Sequence, residues 1–219
     1  MAASMSAFAS AAATKWTDAP RQERPRVAST AGLPSVRRIA HRCAAASTPA
    51  SSSESPPSLP GGMVFEYTTL EVETQLGISL FDITPQINEC VGASGVRSGF
   101  VNVLSRHTTT GITINEAEAR LMDDVRQYLR ALAPADKPYL HNDLHLRKEP
   151  DGWPGGWEAW AAQEPENCHS HLLSMLLGNS ETVPVVDGKL TLGTWQSVLL
   201  VELDGPRKRT VGVQVVGQK

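Results

Sequence analysis

Hydrophobic and polar positions fall into regular patterns only from residue 63 onward. MVFEYTTLEVE, from Met63 to Glu73, mixes β-branched and aromatic residues in rough alternation and predicts a strand, and GISLFDIT, from Gly77 to Thr84, predicts a second after a short turn. Thr84 followed by Pro85 supplies a hydroxyl for an N-cap and a fixed φ for the first helical turn. Ile87, Cys90 and Val91 then share a face, and Gly95 is a natural stop. SGFVNVLSRH reads as a buried strand ending on His107, and Ile112-Thr113-Ile114 within HTTTGITINE continues the β pattern. Across EAEARLMDDVRQYLRALAP the apolar residues Leu121, Val125, Tyr128 and Leu132 recur at one-face helical spacing, and Pro134 ends the run.

The last third reads more simply. HLLSMLLGN is a short helix stopped by Gly178, TVPVVDGKLTLGTW is two β runs around the turn pair Asp187-Gly188, and QSVLLVELDGPRKRTVGVQVVG is a further pair of strands joined at Gly205-Pro206. Strands and helices in this mixed order predict an α+β fold with a largely antiparallel β-sheet and packed helices, over one domain spanning residues 63–219.

Residues 1–62 carry no sustained apolar period. They hold seven Lys or Arg against three acids, a charge of +4, so with the chain at −3 the remainder carries −7. An Arg- and Ser-rich, acid-poor opening has the composition of an organelle transit peptide. VRRIAHRCAAAS, where a basic stretch gives way to Cys-Ala, places its end near residue 43. We expect a chloroplast transit peptide over 1–43, with the mitochondrion as the alternative address, and a disordered Ser/Pro linker over 44–62. No run of 18 apolar residues exists to span a membrane. The acidic balance of the domain argues against nucleic acid as a partner, Arg207 to Arg209 being too small a basic cluster to reverse it. Cys43, Cys90 and Cys168 are widely separated and form neither a C-x-x-C pair nor a disulfide framework.

Chemistry is concentrated in histidine. Five of the six histidines, His107, His141, His145, His169 and His171, lie between residues 107 and 171, a density that invites a metal or acid/base reading against the plainer one of surface or structural imidazoles. His141 and His145 would share a face only if HNDLH were helical. His169 and His171 point to opposite sides of a helix, and spacing does not select between them. Asp143, Glu116, Asp123 and Asp124 could complete a mixed site. Nucleophile-elbow, P-loop and dinucleotide signatures are absent, and adjacent Cys168 and His169 make a poor catalytic pair.

HTTTGITINE, then Tyr139-Leu140-His141, SHLLSMLLG and LGTWQSVLLVELDGPRKRTV, in that order, resemble the YjbQ-like family, often labelled secondary thiamine-phosphate synthase enzyme; the leader makes this look like a plastid member. The resemblance implies a compact domain assembling as a homotrimer, with its polar motifs gathered in a pocket. Matched by position, Glu116, His107 and Asn115 are the catalytic candidates, Ser174, Thr194, Trp195, Gln196, Arg207 and Arg209 the substrate-binding ones, and His107, His141 and His171 the ligands of a divalent metal, zinc or magnesium. The activity implied joins a pyrimidine-methyl diphosphate to a thiazole phosphate. A metal-dependent hydrolase or other phosphate-handling enzyme, and a non-catalytic trimer binding a metal or small ligand, are the alternatives. Departures from the family pattern fall at Ala117, Glu118 and Ala119 and at Leu173. Trp153, Trp157 and Trp160 occupy a stretch longer than in compact members, which reads as a surface loop anchored by aromatic packing, with a lid or interface patch as alternatives.

Overall fold

The computed structural model describes residues 36–39 and 62–219. The expected leader boundary at residue 43 and the linker lie outside the described residues, apart from Gly62 and a four-residue strand at 36–39. In chain order the elements are β1 (Val36–Ile39), β2 (Met63–Glu73), β3 (Gly77–Asp82), α1 (Thr84–Ser94), β4 (Ser98–Ser105), β5 (Thr110–Asn115), α2 (Ala119–Leu132), α3 (Gly156–Ala161), α4 (Cys168–Leu177), β6 (Ser180–Val186), β7 (Lys189–Leu190), β8 (Ser197–Gly205) and β9 (Lys208–Gln218). They form an α+β domain of two antiparallel sheets. The larger has strand order β1-β2-β9-β4-β6-β7, and the smaller β3-β8-β5.

One apolar core joins the inward side chains of both sheets to α1, through Val101 and Val103 of β4, Val211 and Val213 of β9, Val198 and Leu200 of β8, and Ile87 and Val91 of the helix. A second core lies on the other face of the small sheet, where Leu199, Val201 and Leu203 of β8 meet Leu129 of α2 and Leu173 of α4. The central strand β8 is thus buried on both faces, which is why VLLV, Val198 to Val201, reads as an unbroken apolar run instead of an alternation. Serines fasten α4 to this sheet: Ser170 Oγ donates to Leu203 O at 2.6 Å and Ser174 Oγ to Thr110 O at 2.6 Å. Leu177 and Gly178 press on β5 so closely that a Cβ at Gly111 would stand 3.0 Å from the Leu177 side chain and 3.1 Å from the Gly178 carbonyl.

Several expectations are met with differences of detail. Helix α1 begins at Thr84 and ends on Gly95 in the left-handed region, φ 69°, but Thr84 is its first residue, not its cap, and its hydroxyl accepts the backbone N–H of Val198. Helix α2 is capped by the carboxylate of Glu118, which accepts from the N–H groups of Arg120 and Leu121; this departure from the family pattern therefore has a structural use. Its buried side is rotated from the expected face. Leu129 is buried with Met122 and Val125 beside it, whereas Tyr128 is 66% exposed.

The turn at Asp187-Gly188 has both residues at positive φ, 51° and 75°, as a tight hairpin requires, yet the second arm is only two residues long. Gly205-Pro206, a cis peptide bond, joins strands that belong to different sheets, so β8 and β9 are not a paired hairpin. HNDLH forms two single 3₁₀ turns, Leu140–Asn142 and Leu144–Leu146, and not one helix face.

Among the described residues, no helix covers the outer face of the large sheet. Register places Phe65, Val216, Phe100 and Pro184 side by side across β2, β9, β4 and β6, and Phe65 and Phe100 are 60% and 42% exposed. No helix among the described residues is long and apolar enough to cross a membrane.

Candidate functional site

Where β4 ends and β5 begins, the chain passes Arg106, His107, Thr108 and Thr109 and lays them beside the start of β9 and the first turns of α4. These four, with Glu164, Asn167, His171, Asp204, Arg207 and Arg209, line an open polar cavity of about 340 Å³. A second hollow of about 370 Å³ adjoins it, sharing Thr108 and His171 and continuing over Ser174, Met175 and Asn179.

A buried ion pair sets the frame. Glu202, fully buried on β8, accepts from Arg209 Nε and Arg209 Nη2 at 2.6 Å each, from Thr74 Oγ1 at 2.8 Å, and from the backbone N–H groups of Leu203 and Asp204. Burial would raise the pKa of this carboxyl, and it is the largest single influence. The Arg209, Asp204 and Thr74 hydrogen bonds together outweigh it and hold the value below the ordinary range. Arg209 also donates to Thr109 Oγ1 at 2.9 Å, tying the pair to the threonine run. Arg209 is therefore committed to the fold, while Arg207, more exposed, shares Asp204 with the side-chain amide of Asn167.

His107 is fixed from the β9 side. Its Nε2 accepts the backbone N–H of Thr210 at 2.8 Å, with Thr210 Oγ1 at 3.1 Å, so the neutral ring carries its proton on Nδ1. Burial first, then the positive charges of Arg209, Arg106 and Arg207, lower its pKa against the opposing pull of Glu202. Those guanidinium groups make the surroundings of this imidazole electropositive.

His141 and His171 meet edge to face, ring centroids 4.8 Å apart. His141 Nε2 is buried without a hydrogen-bond partner, and burial, Arg147 and His171 lower its pKa, with Glu164 opposing. Arg147 connects this ring to the tryptophan-rich stretch. It donates to the His141 carbonyl at 3.1 Å and to Glu164 at 2.8 Å, lies 5.0 Å over the Trp160 ring, and its own carbonyl accepts from Trp157 Nε1. With Trp160 only 4% exposed among mostly exposed neighbours, this stretch is a surface segment anchored by aromatic packing, and it delivers Glu164 to the cavity.

Of the predicted residues, His107, His171, Arg207 and Arg209 share the cavity, and His141 stands against His171. Ser174 is buried and spends its hydroxyl on Thr110. The remaining five gather elsewhere. Asn115 pairs with Ser197, so Asn115, Glu116 and the exposed Thr194, Trp195 and Gln196 lie at the far end of β5 and β8, roughly 17 Å along the strand at 3.4 Å per residue. Trp195 is 72% exposed there, and Gln196 Oε1 accepts from Gly193 N–H. His169 lines a different hollow near Arg130 and Asp136, and His145 is exposed.

Sequence reasoning missed Arg106, Thr108, Asn167, Asp204, Glu164 and Arg147. Asn167 was findable as the residue ahead of a helix. Glu164 and Arg147 carried no signal, because a long loop gives no periodicity from which to read direction.

A family model described as "UPF0047 protein YjbQ-like" matches residues 68–218. The chain belongs to the YjbQ-like family. Among curated relatives, a UPF0047 protein of Methanothermobacter thermautotrophicus is 39% identical over 159 residues, covering 72% of this chain and 97% of the relative, and the UPF0047 protein YugU of Bacillus subtilis is 33% identical, covering 68% and 98%. A solved YjbQ-like structure of unknown function from Sulfolobus solfataricus superposes with TM-score 0.60 at 31% identity over 71% of this chain and 99% of its own. A family structure from Clostridium acetobutylicum gives 0.56 at 32%, covering 67% and 98%. In this YjbQ-like chain the matched segment contains the whole histidine and arginine cavity, and also the tryptophan-rich stretch that walls it.

Proposed function

We propose that this YjbQ-like protein binds a small phosphorylated substrate in the histidine and arginine cavity and acts there as a thiamine-phosphate synthase-like transferase. The observation that carries the reading is the convergence of Arg106, Arg207 and Arg209 around His107 in one open polar cavity, where burial first and then their charge lower the imidazole pKa. Arg209 is held by Glu202 and Arg207 by Asp204, so Arg106, with no ion pair among the described residues, is the cation most open to an anion in this cavity. In the transfer, the bond from the pyrimidine methylene carbon to the diphosphate oxygen breaks with its electron pair leaving on diphosphate, and the thiazole nitrogen lone pair forms the new carbon–nitrogen bond. Charge accumulates on the leaving diphosphate, where Arg106 and Arg207 stabilise it and His107 Nδ1–H donates a hydrogen bond.

The donor set partly fits a divalent cation. His141 has a buried, unpartnered Nε2 with the His171 ring beside it, whereas His107 Nε2 is already taken by Thr210, and no group of three or more ligand side chains is poised together among the described residues. The proposal therefore assigns His141 and His171 to a zinc or magnesium ion completed by water or substrate oxygen, and His107 to hydrogen bonding. A cation there would neutralise diphosphate charge. Within one chain, Asn115, Glu116, Thr194, Trp195 and Gln196 lie at the other end of β5 and do not line this cavity.

The test is to measure bound metal on the purified full chain and to assay thiamine phosphate formation for wild type, His171→Ala and Arg207→Ala. We expect kcat/KM to fall at least tenfold in both, with Arg207→Ala lowering kcat as well as raising KM. Activity untouched by both substitutions would refute the site, and phosphate release without a thiazole acceptor would make the protein a hydrolase.

The same reading takes the protein to be a plastid-targeted homotrimer. The acid-poor composition of residues 1–62 supports the address, and the row through Phe65, half-buried Val216 and Phe100, with both phenylalanines exposed, supports burial against further copies. A fluorescent fusion of the first 62 residues and sedimentation of the full chain test the two points.

A further inference from the structure

The far end of β5 has its own cavity, and its chemistry is the reverse of the first. Between α2 and the small sheet lies a space of about 190 Å³, floored by Leu199 and Val201, roofed by Met122 and Val125, with Tyr128 and Glu116 among the residues that close it. Helix α2 leaves this space because only Leu129 of its apolar face is fully buried. An aliphatic cavity of about 150 Å³ accepts benzene, so this one holds a six-membered ring with a one-carbon substituent.

The polar part of the wall is specific. Asn115 Oδ1 is occupied by the Glu116 backbone N–H, and the Glu116 carboxylate, half-buried, has no hydrogen bond or ion pair among the described residues. A half-buried carboxylate without a protein partner at the edge of an apolar space offers a charge partner to a cation that enters it. Tyr128, 66% exposed, lines the same space, and the face of an aromatic ring attracts an ammonium group.

We infer that this cavity is a binding site for a monocyclic arylmethylamine, its ring between Val125 and Val201 and its ammonium group on Glu116. The inference is independent of the transferase reading, since no residue of this cavity lines the histidine and arginine cavity. Anions go to one end of β5 and small aromatic cations to the other.

Benzylamine is the probe. In the full chain labelled at methionine methyl groups, with Met122 assigned through Met122→Leu, benzylamine titrated at pH 7.5 shifts the Met122 signal saturably, and benzoate binds at least tenfold more weakly. Glu116→Gln, at a partly exposed position that leaves the fold intact, weakens benzylamine about tenfold, the worth of one charge-assisted hydrogen bond, and leaves toluene unchanged. Val125→Phe fills the space and abolishes both. No saturable shift at Met122 would overturn the inference, as would equal affinity for benzoate or an unchanged benzylamine affinity in Glu116→Gln. A cavity closed by a neighbouring copy would give the first of these results.

Discussion

Replacing Arg209 by Met removes the cation from a carboxylate that has no access to water. Glu202 is fully buried and Arg209 only 4% exposed, and the substitution deletes two of the five hydrogen bonds to Glu202, leaving Thr74 and two backbone N–H groups. Breaking a buried pair from one side costs about 3–5 kcal/mol, because the remaining charge stays desolvated. Against the roughly 5–15 kcal/mol typical of a domain, that is about a fifth of the total or more. Urea unfolding at pH 7.5 measures it.

The pH dependence gives a second reading of the same cause. In the native protein the Glu202 pKa is lowered, so its stabilisation is present above the unfolded value of about 4.3 and is lost as pH falls through the folded one. Without Arg209 the burial effect prevails and raises the folded pKa above about 4.3. The deficit is then full at neutral pH and shrinks as Glu202 protonates. Wild-type and Arg209→Met stabilities should therefore converge on acidification, and Glu202→Met with Arg209→Met should recover most of the loss. A deficit under about 1 kcal/mol at pH 7.5, or one independent of pH, would refute this account of the pair.

Other substitutions test other parts of the frame. Arg147→Met removes a charge that lowers the His141 pKa, so the His141 ring signal should titrate at higher pH by proton NMR, and loss of the Trp160 contact should cost about 1 kcal/mol in urea unfolding. Gly111→Ala forces a Cβ toward Leu177 and the Gly178 carbonyl and should destabilise by about 1–3 kcal/mol, with α4 amides exchanging faster. His107 has a lowered pKa, so its contribution is present above about 6.5 and lost as pH falls below that value toward its folded pKa. In chelator-treated protein the melting temperature of His107→Gln should vary less with pH between 7.5 and 5 than that of wild type.

Local pattern carried most of the element list. Gly95 as a helix stop, the Asp187-Gly188 turn and the amphipathic run of α2 are all decided within a few residues, so a single sequence exposes them. What could not be read locally was which strands share a sheet. GPRKR looks like a hairpin turn, but β8 is held by β3 and β5 on its two edges and β9 by β2 and β4, so the turn crosses between sheets. The rotation of α2 was hidden for a similar reason. Tyr128 and Leu129 are adjacent and both apolar, and only the small sheet beneath decides which is covered.

The site divides along the same line. His107 and His171 are delivered by a strand end and a helix turn, elements with a readable direction, and they reach a common cavity. Asn115 and Glu116 share a motif with His107, but a strand separates its two ends as effectively as a spacer, and closeness in sequence becomes roughly 17 Å in space. Because β8 is buried on both faces and binds β5 along its whole length, that separation is rigid. A movement of one end that left the other still would have to break the β5–β8 ladder. The two cavities can therefore be altered separately: a substitution at Glu116 should leave His107 chemistry in place, and one at Arg207 should leave Met122 unmoved.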